Sequence, residues 1–316
     1  MNNNIILFGY GYWGNNLLRN ICDIYEDKNV YVHDLSSDSL ALAKKNFPNI
    51  NIQESINSEF LKKNIDAAVI ATPVATHYKI AKKCLENYVN VLVEKPITTS
   101  VAELDSLNEI ALKNNLVMMS GHTFLFSGPV IKAKEVISDK KFGKINFIYS
   151  SRIGFGKVRN DVDVMWNLAP HDLSIIDYFL DSKPVKVNNS FYPILRDSIS
   201  DIVTMNISFE NKASALIVNN WINPFKERKM IIYGSNQTLV YDDCLEDKLK
   251  LYDYSISFDN QTPVYKKEKI SNISFEKHEP LFSEIKHFTE CIINGNQPIT
   301  GYRHSRKIVQ ILEKVS

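Results

Sequence analysis

The chain has 316 residues, which is long for a single hydrophobic core and sufficient for two. Its 37 Lys and Arg residues balance 36 Asp and Glu residues, so charge gives no support to a nucleic-acid or membrane-surface partner. No apolar run approaches the ~20 residues of a membrane-spanning helix, and the N-terminus lacks the basic segment of a signal peptide. The cysteines have no metal-binding or redox spacing; they are Cys22, Cys84, Cys244 and Cys291. We therefore expect a cytoplasmic protein with reduced thiols and no metal site.

The first 121 residues alternate short apolar runs with segments of helical periodicity. Strands are predicted at residues 4–8, 29–34, 50–53, 67–71, 90–94 and 116–120. Helices are predicted from residue 13 and at residues 39–46, 57–63, 76–87 and 100–114. Strands that alternate with helices form a parallel, doubly wound sheet. We therefore expect an α/β domain over residues 1–121.

A glycine-rich motif follows the first predicted strand, and it reads Gly9-Tyr10-Gly11-Tyr12-Trp13-Gly14. Gly9 permits a tight turn, and Gly11 lets the backbone approach a pyrophosphate. Gly14 lets the following helix pack closely on the strand. Because a helix N-terminus attracts anions, the motif predicts a Rossmann-type dinucleotide site that includes Tyr12 and Trp13.

Asp34 lies 20 residues after Gly14, at the end of the second predicted strand. A carboxylate there can accept hydrogen bonds from the adenosine ribose and repels a 2′-phosphate. The next residues, Leu35, Ser36 and Ser37, supply no Arg for such a phosphate. We therefore expect NAD rather than NADP, the alternative being that Asp34 only caps a helix or turn.

Two more turns follow predicted strands, and they read Thr72-Pro73-Val74-Ala75-Thr76-His77 and Glu94-Lys95-Pro96. Three later segments add to these turns. The first begins at Gly121, the second spans Trp166 to Asp172, and the third is a predicted helix at 279–293. Together these segments resemble the Gfo/Idh/MocA oxidoreductase family over essentially the whole chain. The resemblance implies hydride transfer between NAD(P) and a sugar, inositol or nucleotide-sugar carbon. It implies that Thr72, Pro73, His77 and Glu94 bind the cofactor.

The resemblance also implies that Lys95 lies near both the nicotinamide and the substrate oxygen. A lysine at a strand end in a cleft can stabilise an alkoxide and relay a proton, and it is a candidate catalytic residue on that ground as well. Pro96 would fix the turn that directs it, with a cis bond as one option. The alternative is an ordinary solvated lysine.

Residues 122–316 show a different pattern, with two helices and a series of strands. The helices are predicted at 129–138 and 167–181, and the strands at 144–153, 185–192, 202–209, 213–221, 229–233, 238–241 and 248–252. Val203, Met205 and Ile207 alternate with polar residues, so one sheet face is apolar. We expect a C-terminal α+β domain with a large, mainly antiparallel open sheet. The resemblance implies that this sheet forms a homodimer or homotetramer.

Asn167 and His171 are four residues apart and share one face of a predicted helix. His171 is the candidate general base, in a segment that resembles the family's catalytic helix. Most sugar dehydrogenases of the family carry Asp where this chain has Asn167, so we expect Asn167 to contact substrate without taking a proton. Asp172 would point about 100° away from His171, which favours a helix cap or a structural salt bridge.

Several side chains near this helix are candidates for substrate binding. Arg152, Arg159 and Trp166 could contact the diphosphate or base of a nucleotide-sugar, or could be ordinary surface residues. Tyr192 and Trp221 could stack on a sugar, although core packing is favoured for both.

These observations lead to one expected function and two alternatives. We expect an NAD(P)-dependent oxidoreductase that acts on a ring carbon, C3, of a nucleotide-sugar used in surface-glycan assembly. The enzyme alternative is a free sugar or inositol dehydrogenase. The other alternative is a non-catalytic NAD-binding regulator, for which Asn167 would mark lost chemistry; the presence of Lys95 and His171 argues against it.

Overall fold

The computed structural model describes residues 4–156, 158–160 and 162–315, and its contacts divide the chain into two compact units. Unit 1 contains Met1–Thr123 and Glu279–Glu313. Unit 2 contains Phe124–His278 and Lys314–Ser316. The first boundary falls two residues beyond the one expected from the sequence. The second boundary differs from the sequence expectation, because residues 279–313, which we expect in the C-terminal domain, group with unit 1.

Unit 1 is built on a six-stranded parallel sheet in the order β3-β2-β1-β4-β5-β6. Its strands are β1 (Ile5–Phe8), β2 (Val30–His33), β3 (Asn51–Ile52), β4 (Ala67–Ile70), β5 (Asn90–Glu94) and β6 (Met118–Gly121). All residues of the two central strands, β1 and β4, are buried, as expected for strands covered on both faces. The predicted Rossmann sheet is therefore confirmed.

Helices connect these strands, and three of them start at a side-chain cap. They are α1 (Tyr12–Cys22), α2 (Ser37–Asn46), α3 (Ser58–Asn64), α4 (His77–Glu86) and α5 (Val101–Lys113). Ser36, Asn57 and Ser100 each accept a hydrogen bond from a backbone N–H of the first turn, at 3.2, 2.8 and 3.2 Å. These caps satisfy N–H groups that the helix itself leaves unpaired.

Unit 2 contains an eight-stranded sheet in the order β14-β13-β12-β11-β7-β10-β9-β8, packed with helices. Its elements are α6 (Gly128–Ser138), β7 (Ile145–Phe155), α7 (Val164–Leu180), β8 (Pro184–Tyr192), β9 (Ile202–Phe209), β10 (Ser214–Asn220), β11 (Ile222–Gly234), β12 (Gln237–Asp242), β13 (Leu249–Asp259) and β14 (Thr262–Asn272). Every neighbouring pair is antiparallel except β7 with β10. The predicted mainly antiparallel sheet is confirmed, and Val203, Met205 and Ile207 lie on its buried face.

The last two helices, α8 (Pro280–Asn294) and α9 (Tyr302–Val315), return to unit 1. The helix α8 packs beside α1, where Glu279 pairs with Arg19. Arg306 and Tyr302 of α9 both donate to Asp105 of α5, at 3.0 and 2.9 Å. These polar contacts and the surrounding apolar packing explain why the C-terminal helices belong to unit 1. No helix in the described part of the chain has the length and apolar character needed to cross a bilayer.

Candidate active site

The glycine-rich turn leads from β1 into α1, and two of its glycines are required by the protein's own packing. Gly9 has φ +94°, and a Cβ added there would lie 2.9 Å from the backbone carbonyl of Ala71. A Cβ on Gly14 would lie 2.2 Å from the carbonyl oxygen of Gly9. Both positions therefore exclude side chains for steric reasons.

Gly11 differs, because a Cβ added there would meet no protein atom within 4 Å. It is the N-cap of α1, and no side chain among the described residues caps this helix. An open approach to an uncapped helix N-terminus is what a pyrophosphate requires. Tyr12, the first helical residue, is 89% exposed. These residues fit the phosphate-binding part of a dinucleotide site.

Asp34 follows β2 and hydrogen-bonds to the glycine-rich turn. Its carboxylate accepts hydrogen bonds from the backbone N–H groups of Tyr10, at 2.7 Å, and Ser36, at 2.8 Å. Each oxygen retains a further lone pair with which it can accept a ribose hydroxyl. The charge and position of Asp34 therefore fit an NAD ribose, as the sequence predicts.

The turn after β4 is braced by His77. This side chain is buried, and its two ring nitrogens lie 2.9 Å from the Pro96 carbonyl oxygen and 2.8 Å from the Thr72 carbonyl oxygen. Burial lowers the pKa of His77 below its ordinary value. The structure thus places both His77 nitrogens against protein carbonyls, where the side chain fixes two turns instead of presenting a nitrogen to a ligand.

The Glu94-Lys95-Pro96 turn ends β5 and has a cis bond between Lys95 and Pro96. One Glu94 oxygen accepts from the indole N–H of Trp13 at 2.6 Å, and the other from the Lys95 backbone N–H at 3.2 Å. Burial raises the pKa of Glu94, and the Trp13 bond and the Lys95 charge oppose that rise. The Trp13–Glu94 bond joins the two motifs that the sequence assigns to cofactor and catalysis.

Sequence analysis missed a buried polar cluster beside this turn, formed by His122, Thr123, Glu284 and His304. Thr123 donates to Glu284 at 2.7 Å, and the rings of His122 and His304 lie 5.3 Å apart. Burial, with the nearby Glu94 carboxylate, holds the pKa of Glu284 well above its usual range. Burial, with the charges of His304 and Lys95, holds the pKa of His122 well below its usual range. Both groups therefore favour their neutral forms at neutral pH.

The second group of candidate residues lies in unit 2, on and around α7. Asp163 caps this helix by accepting from the Trp166 backbone N–H at 3.0 Å. Trp166, Asn167 and His171 follow within two turns and are each half-buried. The His171 ring meets the Phe124 ring edge-on, with centroids 5.1 Å apart. Asn167 and His171 therefore lie about one helical turn apart on α7, as expected.

The strand predicted at residues 144–153 would place Arg152 near its end, but β7 continues to Phe155, so Arg152 lies within the strand. It is buried, and its Nε donates to Asp172 at 3.1 Å. The Asp172 carboxylate also accepts from Ser150 at 3.1 Å and from Asn219 at 2.8 Å. Asp172 therefore has the structural salt bridge that its helical position favours, and it is this bridge that occupies the Nε of Arg152.

The other substrate candidates lie in different surroundings. Arg159 is half-buried, and its carbonyl oxygen accepts from Arg196 at 2.8 Å. Trp221 is buried and donates its indole N–H to Asp201 at 2.6 Å, so it belongs to the core. Tyr192 remains 45% exposed at the end of β8. The described residues contain no group of three or more His, Cys, Asp or Glu side chains that could hold a metal ion.

A parallel sheet whose first turn offers an uncapped helix N-terminus and whose second strand ends in an acidic residue defines a dinucleotide-binding protein. Residues 3–122 match the family model described as "Oxidoreductase family, NAD-binding Rossmann fold". Residues 130–240 match the model of the "GFO/IDH/MocA C-terminal domain". The chain belongs to the Gfo/Idh/MocA family of oxidoreductases, and the NAD-binding fold of its N-terminal model agrees with NAD as the cofactor.

Two curated relatives and one solved structure illustrate where the chain lies within this family. UDP-N-acetylglucosamine 3-dehydrogenase of Acidithiobacillus ferrooxidans is 26% identical over 72% of this chain and 70% of that protein. A solved structure of that enzyme, GnnA, superposes with a TM-score of 0.86 at 21% identity, covering 99% of this chain and 96% of the other. The NAD-dependent scyllo-inositol 2-dehydrogenase of Bacillus subtilis is 23% identical over 74% of this chain and 70% of that protein.

Proposed function

We propose that the protein is an NAD-dependent dehydrogenase, or ketone reductase, that acts at C3 of a nucleotide-activated sugar. The observation that carries the proposal is the junction of the two motifs in unit 1, where Trp13 of the glycine-rich turn donates to Glu94 of the Glu94-Lys95-Pro96 turn at 2.6 Å. This bond sets the candidate catalytic lysine at a fixed place beside a dinucleotide cradle. Similarity to a UDP-N-acetylglucosamine 3-dehydrogenase supports the substrate class and the carbon.

The cofactor half of the reaction depends on residues of unit 1. The backbone around Gly11 and the N-terminus of α1 hold the pyrophosphate, and Asp34 accepts from the adenosine ribose. When bound, NAD supplies the nicotinamide that accepts or donates the hydride. Asp34 carries a negative charge where NADP has its 2′-phosphate, so NAD is the preferred form.

The proton half of the reaction depends on Lys95 and His171. Oxidation of an alcohol releases one proton for each hydride transferred, and a side chain must accept it. Lys95 stabilises negative charge on the substrate oxygen, and His171 serves as the general base. Asn167 hydrogen-bonds the substrate, while Trp166 and Arg159 contact the nucleotide part.

A second candidate is a free sugar or inositol dehydrogenase, supported by the similarity to scyllo-inositol 2-dehydrogenase. Asn167 stands where sugar dehydrogenases of the family usually have Asp. This difference supports a divergent substrate, and it therefore also supports the second candidate. A non-catalytic regulator has weaker support, since both Lys95 and His171 are present.

The test is a substrate panel with NAD and NADP, followed by NADH absorbance. It contains UDP-sugars, dTDP-sugars, free sugars and scyllo-inositol, and a Lys95→Met variant is the matched control. We expect turnover with a nucleotide-sugar, little with its free sugar, and almost none in the variant. NMR of the product should locate the new carbonyl at C3. Turnover confined to scyllo-inositol or a free sugar would select the second candidate, and NADH binding without any turnover would select the regulator.

The proposal extends to the cellular setting of the enzyme. We place it in the cytoplasm, where nucleotide-sugars for surface glycans are made, as a homodimer or homotetramer formed through the open face of the unit 2 sheet. Light scattering after gel filtration tests the assembly, and a monomer at micromolar concentration would contradict it.

A further inference from the structure

We propose that Phe124, Arg152 and Asp172 form a stack that positions the His171 imidazole and couples its charge state to the Arg152–Asp172 pair. The inference rests on the proposed function in one respect, namely that His171 is the base. All four residues belong to unit 2. Three contacts link them in a row, and each contact has a defined geometry.

The row begins at a fixed carboxylate. Asp172 on α7 is 2% exposed and accepts hydrogen bonds from Ser150 and Arg152 of β7 and from Asn219 of β10. Contacts from two neighbouring strands leave this carboxylate little freedom. It therefore holds the guanidinium of Arg152 in one orientation.

The guanidinium then lies on an aromatic face. The Arg152 Cζ is 4.7 Å from the centroid of the Phe124 ring, which is the geometry of a cation–π contact. The Phe124 ring in turn meets the His171 ring at 78°, with centroids 5.1 Å apart. The imidazole thus packs against a ring that is itself held by an anchored charge, and that restricts its rotation.

The charge of the stack matters for a histidine that must be neutral to act as a base. Arg152 and Asp172 form a buried pair with no net charge, in which the guanidinium carbon lies less than about 10 Å from the imidazole centroid. Arg152 also interacts electrostatically with the Tyr241 phenol, and burial raises the pKa of that phenol, so it stays neutral. A change in either charge of this pair should therefore shift the pKa of His171.

A functional reason for this arrangement follows from Asn167. An Asp at that position would orient the imidazole and interact with its cationic form, whereas an Asn carries no charge. The stack supplies orientation without adding a net negative charge. Phe124, Arg152 and Asp172 are thus positioning residues, and Arg152 is not a substrate-binding residue in this assignment.

The test is the pKa of His171, measured by NMR in protein labelled with ¹⁵N-histidine and assigned with a His171→Asn variant. Asp172→Asn leaves the guanidinium unopposed and should lower this pKa, while Arg152→Gln leaves the carboxylate unopposed and should raise it. Each shift should be roughly half to one pKa unit, as expected for one charge at this distance and an effective dielectric constant of about 20 to 40. The double variant should return the pKa toward that of the unchanged protein.

Two further variants separate position from charge. Phe124→Leu keeps the neutral pair but removes the ring, so the ring-current shift of the His171 protons should disappear while its pKa changes little. Arg152→Lys keeps the charge and loses the planar contact, and it should also leave the pKa nearly unchanged. Arg196→Gln, which removes an arginine bonded to Asn160, is the matched control and should change neither signal.

The outcomes are decisive because none requires turnover. Opposite shifts in the two single variants, cancelled in the double variant, support the proposal. Equal or absent shifts, or an unchanged ring-current signal in Phe124→Leu, overturn it. If one buried single variant does not fold, the other still gives a pKa shift of defined sign, and Phe124→Leu still gives the ring-current readout. Failure of the substrate panel would refute the proposed function and leave these NMR results intact.

Discussion

Replacing Gly11 by Ala should separate cofactor binding from protein stability. A Cβ at this position meets no protein atom within 4 Å, and the backbone has φ −82°, which any residue adopts. The change in the free energy of unfolding should therefore stay within about 1 kcal/mol, because the lower entropy of the unfolded chain with Ala is offset by the poorer N-cap that Ala makes. The same methyl group lies where a pyrophosphate would approach, so the Kd for NADH should rise about 10-fold or more, equivalent to about 1.4 kcal/mol.

Gly9→Ala is the matched comparison, because the same methyl group has a different cost there. Its φ of +94° and its 2.9 Å approach to the Ala71 carbonyl combine backbone strain with overpacking. We expect a loss of about 2–5 kcal/mol of unfolding free energy, from ~1–2 for the backbone and ~1–3 for the packing. Chemical denaturation measures the stability of both variants, and NADH fluorescence titration measures binding. Unweakened NADH binding by Gly11→Ala would refute our assignment of the cradle.

Three other predictions concern the charges of unit 1. NADH should bind much more tightly than NADPH, and Asp34→Ala should narrow that difference; equal affinities in the unchanged protein, by fluorescence titration, would contradict the ribose assignment. Lys95→Ala should leave NADH binding nearly intact and reduce turnover about 10²-fold or more, and activity within a few-fold of normal would show that Lys95 is not catalytic. Glu284 has a raised pKa in the folded protein, so its contribution to stability is full below the ordinary glutamate pKa of 4.5 and is lost as pH rises through the folded value. Glu284→Gln should therefore flatten the fall of melting temperature toward alkaline pH. Glu290→Gln, which changes an exposed carboxyl on the same helix, should not. Parallel plots of melting temperature against pH for Glu284→Gln and the unchanged protein would show that the buried carboxyl is ionised throughout.

The sheet of unit 1 could be predicted because each of its main strands is a short apolar run followed by a recognisable turn. The strand β14 could not, because its residues 266–269 read Lys-Lys-Glu-Lys and carry no apolar alternation, as is common at a sheet edge. The strand β7 was predicted to end at residue 153, and pairing with β11 across an irregular register extends it to Phe155. The strand propensity of single residues does not indicate how far such pairing extends a strand.

The candidate site was predicted where local sequence determines the geometry and missed where distant segments meet. Gly9 and Gly14 are required for steric reasons, and the glycine-rich motif itself predicts this requirement. Glu284 contacts Thr123 across 161 positions, and no local pattern indicates that pair. His77 was expected at the cofactor because of the motif it belongs to, yet its neighbours Thr72 and Pro96 occupy both nitrogens.

The return of α8 and α9 to unit 1 has a consequence for biosynthesis. Tyr302 and Arg306, which donate to Asp105, are synthesised about 200 residues after it. The separation between Arg19 and its partner Glu279 is longer still. During translation, the nucleotide-binding half must therefore stay incomplete while the whole of unit 2 is synthesised. Contacts of such long sequence separation slow folding and leave apolar helix faces exposed in the nascent chain. We expect this stretch of synthesis, and not the folding of the first six strands, to be the interval in which the protein most needs protection from aggregation.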